Sequence, residues 1–183
     1  MKLNQHFITT RRPYREGAVE VFEQKIPELD LTRATLTITA LGVYEANLNG
    51  VKIGEQMFAP GYTYYYHDLF YQTYDITDSL RGNDTLRIYL GQGWYCGRFT
   101  CDNKTQIYGE RPAVSWILEA ELSDGNRKYF CSDDPSVQAV QSPYDYAGLY
   151  DGEIFFADGA PRSDVPEIFP PVSYEGRLPD RFS

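Results

Sequence analysis

The clearest periodicity runs through residues 34–54. Ala34, Leu36, Ile38 and Ala40 alternate with Thr35, Thr37 and Thr39, and only a strand sends successive side chains to opposite faces. Asn49 and Gly50 follow, a pair that tolerates positive φ at both positions of a two-residue turn, with apolar Leu48 and Val51 on either side. The segment predicts one strand over 33–41 and a hairpin over 43–54, with one face packed. Residues 85–90 repeat the alternation, with Leu86, Ile88 and Leu90 together. Residues 114–122 place Val114, Trp116, Leu118, Ala120 and Leu122 on one face, and Asp124-Gly125 then turns the chain into a strand over 127–131. Shorter strands are predicted over 18–26, 69–74, 137–140 and 153–156. Residues 75–83 form a polar connection ending in the turn signal Gly82-Asn83. About eight short strands with no four-turn helix and no internal repeat predict an all-β, jelly-roll β-sandwich.

Two stretches break the pattern. Residues 91–111 read as a long loop without periodicity, the kind that in a compact domain carries function or mobility. Beyond residue 160, Pro161, Pro166, Pro170, Pro171 and Pro179 argue against regular structure and predict an extended linker. The expected organisation is an N-terminal segment over 1–17, a sandwich over 18–160 and a Pro-rich linker over 161–183.

The chain's 183 residues allow one domain with a core that needs no disulfide. Its net charge of −9 sets it against phosphate backbones and anionic membrane surfaces, so neither nucleic acid nor membrane is an expected partner. Cys96, Cys101 and Cys131 are odd in number and lack C-x-x-C spacing, which favours thiols in a reducing compartment over a disulfide or metal role. The first residues have no apolar run of signal-peptide length, and no stretch nears the ~20 apolar residues of a membrane helix. A cytoplasmic location is the expectation. The 16 tyrosines suit strands, and they also suit sugar-contacting surfaces.

Several separated segments are similar to one family. Leu-Gly-Val-Tyr-Glu at 41–45 with Asn-Leu-Asn-Gly at 47–50 resembles the galactose-binding-domain-like sandwich of many glycoside hydrolases, β-galactosidase-like enzymes included. Four pieces are sharper: Ala-Pro-Gly-Tyr-Thr at 59–63, Tyr-Gln-Thr-Tyr-Asp-Ile-Thr at 71–77, Gly-Gln-Gly-Trp-Tyr-Cys-Gly-Arg at 91–98 and Tyr-Gly-Glu-Arg-Pro-Ala at 108–113. With Leu-Tyr-Asp-Gly-Glu at 149–153 they resemble the N-terminal domain of bacterial α-L-rhamnosidases over roughly residues 18–160. Cys96 stands where that family varies. The resemblance implies an ancillary domain whose parent removes terminal α-L-rhamnose by inversion, through carboxyl groups on a following (α/α)6 helical barrel. No acidic cluster of that kind is found in this chain, so no catalytic residue is assigned and the chain reads as a fragment without the barrel. The implied partners are L-rhamnose or rhamnosides and the barrel of the same parent chain.

Candidate binding residues follow from side-chain chemistry. Trp94 and Tyr95 offer flat ring faces, and Arg98 offers paired donors; packing at one end of the sandwich and an ion pair to a loop carboxylate are the competing roles. Asp102 and Asn103 suit vicinal hydroxyls or a hard cation such as calcium, which some relatives in the resembled family use to hold L-rhamnose; a solvated turn is the plainer reading. Tyr150, Asp151 and Glu153 come next. If on one strand, Asp151 and Glu153 share a face about 7 Å apart, and they either pin the terminal segment or contact sugar or calcium. The run Tyr62, Tyr64, Tyr65, Tyr66 precedes His67 and Asp68 without a nucleophile motif, and reads best as packing against a neighbouring domain. Neither His6 nor His67 shows ligand spacing, so no zinc site is expected.

Overall fold

The computed structural model describes residues 2–157, 166–172 and 174–178. The strands are β1 (Phe7–Thr10), β2 (Val19–Ile26), β3 (Leu31–Leu41), β4 (Val43–Leu48), β5 (Val51–Lys52), β6 (Gln72–Asp75), β7 (Asp84–Gly91), β8 (Ala113–Leu122), β9 (Arg127–Cys131), β10 (Gln138–Val140), β11 (Tyr144–Gly148), β12 (Gly152–Phe155) and β13 (Ile168–Val172). One short helix, α1 (Gly93–Cys96), interrupts the long loop. No helix among the described residues is long and apolar enough to cross a membrane.

Apart from β11 and β12, which pair with each other as a separate ribbon, the strands form two antiparallel layers. One sheet runs β13-β1-β8-β3-β6, with β9 also on β8; the other runs β10-β2-β7-β4-β5. Their facing surfaces close on one core. Ala34, Leu36, Ile38 and Ala40 from β3 and Val114, Trp116, Leu118 and Ala120 from β8 meet Phe22, Ile26, Leu86, Ile88 and Leu90 of the opposite layer. The alternation seen in the sequence is thus realised as burial, and the all-β sandwich is the observed architecture. Asn49 and Gly50 take φ of 53° and 82°, closing the β4–β5 hairpin with Leu48 opposite Val51.

Both chain ends depart from expectation. Phe7–Thr10 is a strand, not a segment outside the sandwich, and Ile8 joins the core. Four consecutive β-formers suffice for a strand where a neighbouring edge is open. The tail was expected to lack regular structure, yet Ile168–Val172 pairs with β1, Phe7 facing Val172 and Thr10 facing Ile168. Pro170 and Pro171 fit there because β13 is the outer strand and the two prolines fall where its pairing with β1 slips register, between the Thr9–Phe169 and Phe7–Val172 pairs. Pro161, Pro179 and the expected boundary near 160 lie outside the described residues. The strand over Tyr144–Gly148 was also absent from the sequence reading.

The β8 edge explains how β1 and β9 coexist. Ile8 pairs with Val114, while Cys131 begins the β9 ladder opposite Ile117. The backbone at Trp116 lies between the two. Ser132 fills this gap: its Oγ accepts the Trp116 N–H at 3.1 Å and donates to the His6 carbonyl at 2.5 Å. One hydroxyl thereby seals the junction of three segments.

Gln24 is fully buried on the inner face of β2, where a polar side chain needs partners. Its Oε1 accepts the Trp116 indole N–H at 2.9 Å across the core, and its Nε2 reaches the Cys131 carbonyl and Ser136 Oγ at 3.4 Å each. Gln24→Leu keeps the volume and strands the indole donor. It is expected to lower stability by about 1–3 kcal/mol, read as a lower urea midpoint at unchanged slope; an unchanged midpoint would refute the role of this bond.

Candidate functional site

The motif at 91–98 builds one end of the sandwich. Gly93 has φ of 52°, and a Cβ there would lie 2.7 Å from Val43 Cγ1 and 3.1 Å from the Gly42 backbone. Glycine therefore lets α1 start directly against β4. Gln92, buried before it, clamps the N-terminal segment: its Oε1 accepts the Gly17 N–H at 2.9 Å and its Nε2 donates to the Arg15 carbonyl at 2.7 Å. Tyr14 adds a bond from its hydroxyl to the Cys96 carbonyl at 3.0 Å. Burial pushes the Cys96 thiol up to about 12, so it is inert as a nucleophile.

After α1 the chain forms a tight excursion. Phe99 N–H bonds the Lys104 carbonyl at 2.8 Å and Asn103 N–H bonds the Thr100 carbonyl at 3.2 Å. Thr100, Asn103 and Gln106 all adopt positive φ, at 79°, 56° and 57°. Such backbone is costly for residues other than glycine, and three cases in seven residues mark a loop held in one shape by its surroundings. Asp102 and Asn103 stand exposed at its tip, with Lys104 Nζ 3.6 Å from the Asp102 carboxylate.

The second part of the rim is the β11–β12 turn. Asp151 accepts from the Tyr146 hydroxyl at 2.9 Å and pairs with the Arg98 guanidinium. The Tyr146 bond, then Arg98, hold its carboxyl below the usual aspartate range. Burial first, then the bond to Asp151, pushes the Tyr146 phenol up to about 12. Arg98 also lies 5.9 Å from the Tyr150 ring centre and 4.0 Å from Glu16. The structure thus joins Arg98, Tyr150 and Asp151, tying the turn to the 93–108 loop. It does not bring Glu153 with them. Asp151 lies in the turn, whereas Glu153 is on β12 opposite Ala147, beside a separate shallow concavity with Tyr44 and Tyr89. The two carboxylates therefore do not share a strand face.

Trp94 and Tyr95 are half-buried. Trp94 meets Phe58 and Tyr62 edge-on, at 6.1 and 6.0 Å between ring centres. Tyr95 meets Tyr65 at 5.2 Å, and its ring backs onto Gly109. The tyrosine run divides by burial: Tyr65 is inside a small second core, while Tyr62, Tyr64 and Tyr66 remain exposed around Tyr108. His67 packs on Tyr64, and Asp68 is engaged by Arg177 Nε at 2.9 Å, so these two form no acid–base pair with each other. Tyr174 donates to the Tyr65 carbonyl at 2.7 Å, fastening the tail to the aromatic loop.

Glu16 and Tyr146 were missed by sequence reasoning. The Tyr144-Asp145-Tyr146 alternation is the signal that could have revealed Tyr146 and its strand; Glu16 has none. A groove of about 720 Å³ lies elsewhere, on the outer face of β3, β6, β8 and β9. Thr35, Thr37, Tyr71 and Tyr129 line it, and none of the residues predicted to bind does.

A model of the α-L-rhamnosidase N-terminal domain matches residues 29–162. The chain belongs to this family. Among curated relatives, the domain is 42% identical to the α-L-rhamnosidase of Streptomyces avermitilis over 136 residues, 74% of this chain and 13% of that one. An α-L-rhamnosidase of Formosa agariphila is 33% identical over 137 residues, 73% of this chain and 15% of that one. The rhamnosidase N-terminal domain described here therefore spans only 13–15% of the length of these relatives. In structure it resembles native Aspergillus terreus α-L-rhamnosidase, with a TM-score of 0.76 and 34% identity, covering 82% of this chain and 18% of that one. The Streptomyces avermitilis α-L-rhamnosidase, complexed with L-rhamnose, gives 0.70 at 39% identity, covering 78% and 14%. A lectin of Pleurotus ostreatus shares the fold alone, at 0.51 and 19% identity, over 78% of this chain and 36% of that one.

Because Asp151 ionises more readily when folded, its ties stabilise the rim above the ordinary aspartate pKa and are lost as pH falls through its lower folded value. The Asp151 side-chain carboxyl followed by NMR should titrate below the usual aspartate range, and Tyr146→Phe should move the midpoint upward. An unmoved midpoint would show that the hydroxyl does not hold the carboxylate.

Proposed function

We propose that this domain is the ancillary, non-catalytic substrate-recognition part of an α-L-rhamnosidase, binding terminal L-rhamnose at the loop rim while another domain of the parent carries out hydrolysis. One observation carries the reading: the 99–106 excursion, with positive φ at Thr100, Asn103 and Gln106, leaves Asp102 and Asn103 exposed at its tip, directly after a helix packed on the aromatic core. A carboxylate and an amide side by side can accept from and donate to neighbouring sugar hydroxyls. Tyr150 adds an exposed ring, and Arg98 with Asp151 orients it. Trp94 and Tyr95 support the loop from below. The relative solved with L-rhamnose is consistent with such a ligand.

The donors fit a hard cation in part. Asp102 and Asn103 supply side-chain oxygens, and among the described residues they join no group of three His, Cys, Asp or Glu side chains. Calcium there would take its remaining ligands from backbone carbonyls, water and sugar hydroxyls.

Calorimetric titration with L-rhamnose tests the reading, with calcium in one arm and a chelator in the other. A monosaccharide of about 11 heavy atoms at ~0.3–0.4 kcal/mol per atom gives a Kd of roughly 1 mM. Asp102→Ala should weaken binding by roughly tenfold or more through loss of a charge-assisted bond. Absence of heat in both arms would remove the proposal.

A purely structural role, supporting the catalytic barrel without binding sugar, is favoured by a different observation. Met57, Phe58, Tyr64 and Tyr66 are 72%, 52%, 56% and 60% exposed, an apolar group of the kind a covered interface leaves. This reading predicts concentration-dependent self-association in sedimentation that Phe58→Ser with Tyr66→Ser abolishes. A monomer at all concentrations counts against it.

A further inference from the structure

His6 and Cys131 lie far apart in sequence, and neither carries a metal-binding spacing. The fold nevertheless brings them together with Asp133. His6 Nδ1 is 2.8 Å from Asp133 Oδ1, and the ligating atoms of all three residues lie within 4.8 Å of one another. This corrects the expectation that neither histidine takes part in a ligand cluster. We propose that His6, Cys131 and Asp133 form a binding site for a divalent ion of borderline softness, with Zn2+ as the reference case.

The donor set chooses the metal. Sulfur, imidazole nitrogen and carboxylate oxygen together suit Zn2+, Co2+ or Cd2+, whereas Ca2+ and Mg2+ prefer oxygen alone. With a thiolate, a carboxylate and a neutral imidazole, the ligand charge of two negatives cancels a divalent cation, so a half-buried site is left neutral. Coordination replaces the Cys131 S–H bond by a sulfur–metal bond, and the proton leaves to solvent. Four ligands around zinc stand roughly 3.3–3.7 Å apart, so closing the site needs shifts of about an ångström: apart for His6 and Asp133, inward for the sulfur.

The scaffold is prepared for this. Ser132, between two of the ligands, donates to the His6 carbonyl and accepts from the Trp116 backbone. Asp134 N–H bonds the Cys131 carbonyl at 3.1 Å, fixing the turn that carries Asp133. Cys131 is buried beside Leu3 and Ile117, while the His6 and Asp133 side chains keep 14% and 27% exposure. Solvent thus reaches one side, where a water completes four-coordination. A bound ion would clamp the entrance of β1 to the end of β9, at the junction Ser132 already seals. The competing arrangement is an ordinary His6–Asp133 ion pair beside a buried thiol.

Cobalt distinguishes the two in the whole chain. Exposed Cys101 is first changed to serine to remove an adventitious thiol. Adding Co2+ should then give, at one equivalent, a sulfur-to-cobalt charge-transfer band and the intense visible bands of four-coordination. Cys131→Ser or Cys131→Ala should abolish the charge-transfer band. His6→Gln, which leaves the buried thiol in place, should weaken uptake by at least the ~10–100-fold that loss of even a supporting partner costs a metal site, and added Zn2+ should raise Tm in the Cys101→Ser chain but not when His6→Gln is added. No charge-transfer band with Cys131 intact, a band that survives loss of Cys131, or equal uptake by His6→Gln would each overturn the site.

Discussion

The indole N–H of Trp116 is buried between two layers of aliphatic side chains, and Gln24 of the opposite sheet accepts it at 2.9 Å. Apolar faces attract without direction, so hydrophobic burial alone would let the sheets slide. A buried donor with a single acceptor admits fewer positions, because any register that separates the pair strands both groups away from water. The same residue fixes the β8 edge. Its backbone N–H meets Ser132, whose hydroxyl holds the N-terminal segment through the His6 carbonyl. Layer registry and the placement of β1 thus meet at one tryptophan.

From that fixed body, the rim is assembled out of pieces remote in sequence. Gln92 captures Gly17 and Arg15, the β11–β12 turn reaches Arg98 through Asp151, and the tail settles on the tyrosine loop through Tyr174 and Arg177. Arg98 and Asp151 spend their charges on each other, so they shape the rim more than they confront a ligand. The polar groups left outward are those of the 99–106 excursion. Rigid strands carrying a tightly bonded loop are a suitable basis for recognition, since little ordering entropy is lost when a ligand arrives.

Much of this body was legible in the chain. The alternation at 34–40, 85–90 and 114–122 marked the three strands that dominate the core, and Asn49-Gly50 marked its hairpin. Linked motifs named the family. What escaped depended on tertiary position. Pro170 and Pro171 forbid a central strand but not an outer one, and edge position is set by the finished sheet. Asp151 and Glu153 would share a face if on one strand, whereas Asp151 lies in the turn and Glu153 on β12. The cluster of His6, Cys131 and Asp133 joins two chain regions that no local spacing connects.

The central claim is that a two-layer body presents its 93–108 loop and the 149–151 turn to a rhamnosyl group. Amide NMR spectra recorded while L-rhamnose is raised to saturation test this most directly. The account predicts shift changes concentrated at Asp102, Asn103 and Tyr150, with the outer sheet face around Thr37, Tyr71 and Tyr129 unmoved. Changes confined to that outer face, or no changes anywhere in the spectrum, would contradict it.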